Sequence, residues 1–210
     1  MSEFPETPLA RTAHEFLVGG SAQTLVNHSL RSYLFARRVA DLRGLRPDVD
    51  FDDEVVFVSC ALHDVGLTEA GNGDQRFEVD GADLAVRVLR DAGMAADRTS
   101  LVWDAIALHT SAGIADRKAP EIALSFYGIA LDVFGLGAEQ FPGEVLAGVH
   151  AGRPRLQLAD ELARMVVDQT VDKPAKAPPL SFPSLLVGEV RGAGSVPDFR
   201  GLVAAGPWGS

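Results

Sequence analysis

The run from Val55 to Leu62 is apolar on nearly every side and ends on His63-Asp64, with Gly66 two residues further on. A helix that is apolar all round belongs at the centre of a fold rather than on its surface. This one therefore carries a histidine and an aspartate into the interior, where an unpaired carboxylate is costly. A bound metal ion would remove that cost, since imidazole nitrogen and carboxylate oxygen both ligate zinc, iron and manganese. Neighbouring helical residues point about 100° apart, so the pair reaches one ion only from a frayed last turn, and Gly66 is the expected helix ending. A buried histidine beside an unrelated aspartate is the plainer alternative.

A second source of ligands comes earlier in the chain. Ser21, with Thr24 as a second candidate, caps a helix expected from 21 to about 41, before Gly44 and Pro47. Leu25, His28, Ser32, Phe35 and Val39 share one face of it, with Arg31, Arg37 and Arg38 outside that face. Taken alone, His28 is either a hydrogen-bonded core residue or a ligand. Further helices are expected at 78–92, 97–110, 120–134, 141–150 and 154–170, bounded by Gly93, Gly113, Pro120, Gly135 and Pro154. His109 closes one of them, at a helix end that favours a protonated imidazole. Asp132 lies along an otherwise apolar side with Ile122, Ser125, Ile129 and Val133.

No β alternation persists, so the expected fold is all-α. It comprises an N-terminal arm (1–20), a helical domain (21–170) and an extended Pro/Gly-rich C-terminal tail (171–210) packed on that domain, carrying Pro174, Pro178, Pro179 and Pro183. Residues 68–77 form a polar loop beside the His-Asp pair. Its Gly71-Asn72-Gly73 lacks the strand before and the Gly-Lys-Ser/Thr after that a phosphate loop needs, which leaves a substrate-shaping role.

The net charge of −10, with only Lys118, Lys173 and Lys176 as lysines and no basic stripe, argues against nucleic acid. No apolar run reaches the 18 residues of a membrane span. The single cysteine, Cys60, reads as a packing residue in a reducing, cytoplasmic protein. A small, weakly charged or neutral molecule is the expected partner. The tail could also swap between copies of the chain in a homo-oligomer.

Together His28, His63, Asp64 and Asp132 resemble the HD-domain superfamily, whose pattern is a histidine, a His-Asp pair and a later aspartate; the resemblance covers roughly residues 21–135. Four segments look like its cyanamide hydratase branch: Asn27-His28-Ser29-Leu30-Arg31, His63 to Thr68, Arg76 to Ala82, and Ala105 to Ser111. The resemblance implies an HD-type helical bundle that holds one divalent ion on His28, His63, Asp64 and Asp132, zinc first, with Fe2+ or Mn2+ as the other candidates. It also implies hydration of cyanamide to urea by water that the metal activates. In this reading Asp64 also orients the water, and His109 is the acid that protonates the substrate nitrogen. Asn27, Thr68, Glu78, Thr110 and Ser111 are the candidate substrate-binding groups. Phe77 stands where two-metal branches place a further histidine, so one metal is expected. The rival readings are a metal-dependent phosphohydrolase using Arg31 or Arg76 on a phosphate, a two-iron oxygenase, and a binding protein with a vestigial site.

Overall fold

The computed structural model describes residues 3–207, which contain helices and turns but no strand, save an isolated bridge between Pro47 and Phe51. The helices are α1 (Pro8–Gly20), α2 (Gln23–Leu42), α3 (Asp53–Leu62), α4 (Phe77–Asp91), α5 (Ala96–Ala107), α6 (Pro120–Phe134), α7 (Gly143–Ala151), α8 (Leu158–Asp172), α9 (Phe182–Arg191) and α10 (Phe199–Ala204). None is long and apolar enough to cross a membrane.

α3 is the axis. Every residue from Val55 to Leu62 is buried, and α1, α2, α5 and α6 all pack against it. Its first turn is fixed by Asp52, which accepts from the Val55 amide at 3.0 Å while its carboxylate holds Arg98 at 2.8 Å. The most extensive pairing is α2 on α6. It needs Gly128, because a Cβ there would meet the Ser32 carbonyl oxygen at 2.2 Å. This close approach sets the His28 face of α2 against the Asp132 face of α6.

Both chain ends correct the sequence expectation. The N-terminal arm is mostly α1, capped by Thr7, with Pro8 in its first turn and Ala10, Ala13 and Leu17 buried at helical spacing. Phe4 anchors the segment before it, 5.9 Å from the Tyr33 ring and 5.7 Å from Phe57. The tail is not extended. α8 continues to Asp172, and α9 starts in a capping box of Ser181 and Ser184, with Pro183 buried in its first turn. The prolines there open helical turns instead of preventing them. Lys176 is fully buried, paired with Asp80 and bonded to the Gly73 carbonyl, and so ties the segment to the 71–75 loop. α8 begins at Leu158 rather than 154; Leu156 and Gln157 before it adopt left-handed backbone, at φ 51° and 58°.

Candidate metal centre and its cavity

α3 ends at Leu62, and Asp64 leaves helical geometry at φ −104°, ψ 9°, which lets both members of the pair face the same space. Gly66 contributes by close approach rather than by a left-handed turn. A Cβ on it would meet the Phe77 carbonyl oxygen at 2.0 Å, so it allows the turn Val65–Leu67 to seat on the start of α4.

Three histidines converge by a shared logic. The last carbonyls of a helix have no partner within it. His63 folds back on α3 and donates from Nδ1 to the Cys60 carbonyl at 2.8 Å, and His109 donates from Nδ1 to the Ile106 carbonyl of α5 at 2.7 Å. His28 donates from Nδ1 to Asp132 Oδ2 at 2.7 Å. A carbonyl or carboxylate oxygen can only accept, so each Nδ1 carries a proton and, in the neutral ring, each Nε2 presents a lone pair. His28 Nε2 and His63 Nε2 lie 3.0 Å apart. Asp64 Oδ2 lies 3.2 Å from His63 Nε2 and 3.6 Å from His28 Nε2, while its Oδ1 lies 3.7 Å from His109 Nε2.

Lone pairs facing one another at that distance repel unless a proton or a cation lies between them. His28, His63 and Asp64 offer ligand atoms all within 4.8 Å of one another, and all three are buried. Two imidazoles and a carboxylate, each ring oriented through its other nitrogen, are a donor set that fits a divalent metal ion.

The electrostatics agree. Burial pushes the His28 imidazole down, against its bond to Asp132. Burial pulls His63 the same way, but the Asp64 carboxylate outweighs it and the net shift is upward. Burial alone would raise Asp64, yet the three surrounding imidazoles hold it well below the usual carboxylate range. His109 is pushed down to about 4, by burial first and then by the neighbouring His63. The helix-end argument for a protonated His109 therefore fails: desolvation of the ring outweighs the attraction of the helix terminus, and the group is neutral at neutral pH.

Asp132 stands outside the ligand-spaced group. It binds the other nitrogen of the His28 ring, and Arg31 grips both of its oxygens at 2.7 Å. Burial raises it, but His28 and Arg31 bring it well below the usual carboxylate range. Arg155 adds a bond to its backbone carbonyl. Arg31, placed outside the functional face from the sequence, is fully buried and also donates to the Arg153 and Pro154 carbonyls. Its position three residues after His28 puts it one helical turn along the same side, a signal that the apolar-face pattern hid.

A cavity of about 380 Å³ runs from this cluster to the surface. His28, His63, Asp64, His109 and Thr110 line its inner end, and the remaining wall is apolar, from Phe77, α6, α8 and α9. Of the five expected substrate-binding groups, only Thr110 lines it; its hydroxyl donates to Glu78 at 2.8 Å. Glu78 is fully buried behind Thr110 and paired with Arg76. Asn27 ties α2 to the Pro154 carbonyl at 2.8 Å, and Thr68 donates to the Val65 carbonyl at 2.6 Å. Ser111 lies in the turn after α5, its carbonyl accepting from Ala115. None of these four lines the cavity. Phe182 and Leu185 of α9 also line the wall; the apolar run Leu185-Leu186-Val187 reads from sequence as a stretch that docks on the helical body, but nothing there marks it, or Phe182, as part of the site.

The HD domain family model matches residues 25–165, more than half of the chain, and the chain belongs to that family of metal-dependent hydrolases and lyases. Over 108 residues the chain is 32% identical to two proteins of Saccharomyces cerevisiae, cyanamide hydratase DDI2 and cyanamide hydratase DDI3. The match covers 50% of this chain and 47% of each relative, so the chain spans about half the length of the proteins it resembles.

Proposed function

We propose that this chain is a metal-dependent hydratase that adds water across the C≡N group of cyanamide, giving urea, or of a similar small molecule. The observation that carries the reading is a cavity that reaches the His-Asp cluster with no lysine or arginine along it. A phosphohydrolase needs positive charge on its phosphate. The two arginines nearest the motifs are engaged elsewhere, Arg31 on Asp132 and Arg76 on Glu78. The partial identity to the two yeast cyanamide hydratases supports the same choice.

His28, His63 and Asp64 would hold one divalent ion, zinc first among zinc, iron and manganese given two nitrogens and a carboxylate. When bound, the ion supplies Lewis acidity and lowers the pKa of water towards about 7. Asp132 keeps the His28 Nε2 lone pair directed inward by holding the Nδ1 proton. Asp64 presents Oδ2 to the two ligand histidines and Oδ1 to His109, which orients a water between them. His109 is neutral with Nε2 open, so it takes a proton from the attacking water and delivers it to the substrate nitrogen. It is thus an acid only in the second half of the reaction. Thr110 offers the substrate an oxygen acceptor at the cavity wall. The buried, unpaired Cys60 fits a reducing cytoplasm.

The test is a parallel assay of zinc-loaded protein on cyanamide and on bis(p-nitrophenyl) phosphate. Urea formation without nitrophenol release is expected. Nitrophenol without urea would overturn the proposal in favour of phosphate-ester chemistry.

A further inference from the structure

We propose that the site is built for a C≡N compound carrying an apolar substituent, R–C≡N or R–NH–C≡N with R aromatic or branched aliphatic, and takes cyanamide only as its smallest substrate. This rests on the hydratase reading above and names its substrate class. The non-hydrogen atoms of cyanamide each occupy no more room than a water molecule, roughly 30 Å³, so cyanamide leaves most of the cavity of about 380 Å³ empty. Pockets of this size are those that enclose drug-sized ligands. Beyond the metal-site cluster the wall is formed by Phe77, Phe126, Ile129, Val133, Val166 and Phe182. A small polar substrate could not satisfy its hydrogen bonds against such a wall. The mouth carries large apolar side chains left in solvent: Phe134 is 72% exposed and Leu185 63%. An apolar substituent lying from cluster to mouth would cover both.

The wall also has a distinctive source. Phe182 and Leu185 belong to α9, beyond the residues 25–165 that match the HD domain family. α9 therefore supplies part of the cavity wall from outside the segment that matches the family model. The reaction balances without any further reagent. The water oxygen bonds to the nitrile carbon, both water protons finish on the nitrogen, and the C≡N triple bond becomes the C–N and C=O bonds of R–CO–NH2 or R–NH–CO–NH2.

The experiment uses the zinc-loaded full chain with cyanamide, phenylcyanamide and benzonitrile, and measures calorimetric binding of the products urea and phenylurea. Phenylcyanamide or benzonitrile should exceed cyanamide in kcat/KM by at least about tenfold, the scale of discrimination an apolar pocket gives; which of the two does so identifies the substrate class. Phenylurea should bind more tightly than urea, and Phe182→Ala should weaken phenylurea binding at least fivefold, a readout that needs no turnover. Cyanamide hydrated as well as or better than both aromatic compounds would overturn this inference and leave the hydratase reading standing. Phenylurea binding no tighter than urea would overturn it as well. Hydration of none of the three would remove the hydratase reading and this inference with it.

Discussion

The Nε2 atoms of His28 and His63 face each other at 3.0 Å, and in each ring the Nδ1 proton is already committed to an oxygen. While both rings are neutral, neither can donate to the other. A proton or a cation between them relieves the contact, and Asp64, which shifts the His63 imidazole upward while burial shifts His28 downward, makes His63 the more readily protonated ring. A divalent ion bound there competes with any proton that His63 carries. Calorimetric titration of chelator-treated protein with zinc, in buffers of different ionisation enthalpy, should show one ion bound per chain, with a proton release that grows as the pH is lowered. A proton release that does not change with pH would contradict this arrangement.

Asp132 and Arg31 form a buried ion pair with His28 as the third member. Asp132→Asn keeps the shape, removes the anion and leaves the guanidinium buried without its counter-charge. Breaking a buried pair in this way costs about 3–5 kcal/mol, and loss of such a supporting group weakens a metal site about 10–100-fold. Denaturant unfolding and competitive zinc titration measure the two effects separately. Asp64→Asn should abolish binding outright, and equal zinc affinity in the two variants would refute the division of roles.

His109 links the site to pH. Its imidazole titrates near its ordinary 6.5 in the unfolded chain and at about 4 in the fold, so between those values the unfolded state holds more protons. Stability of the metal-free protein should fall as pH drops through that window, by on the order of 3 kcal/mol from this group. Asp64 and Asp132, held below the usual carboxylate range, contribute stability above pH 4 that is lost only at more acidic pH. Urea unfolding at a series of pH values should show a shallower slope between 6.5 and 4 for His109→Asn than for the wild type. Identical slopes would mean that the ring is not buried as described.

Gly128 and Lys176 test the scaffold. A Cβ at position 128 would strike the Ser32 backbone oxygen at 2.2 Å, and overpacking of this kind costs about 1–3 kcal/mol. Because it separates α2 from α6, Gly128→Ala should also loosen zinc, unlike an equally destabilising substitution remote from that pairing. Lys176→Met leaves Asp80 buried without its partner. It should free α9 to proteolysis before the rest of the chain is cut, a result that limited digestion would show directly.

The helical class and the inward placing of His28, His63 and Asp64 were legible from local periodicity, while their grouping as ligands came from the resemblance to the HD-domain pattern. Cys60 too is buried as read, its thiol pushed up to about 12 by its apolar surroundings. What periodicity could not show are choices decided by tertiary contacts. Arg31 reads as solvent-facing until the loop at 153–154 closes over it. Glu78 reads as a candidate substrate-binding group until Arg76 and Thr110 close on it. The proline-bearing C-terminal segment reads as extended because its order comes from the buried Lys176 and from packing on α8, which no local pattern encodes. The cavity wall contributed by α9 was hidden with it.

The most direct measurement follows [13C]cyanamide by NMR in the presence of zinc-loaded protein, with His63→Ala as the control. The account predicts that the nitrile carbon signal is replaced by that of urea with the wild type and persists with the variant. A nitrile signal that persists with the zinc-bound wild type, or one that His63→Ala converts equally fast, would contradict it.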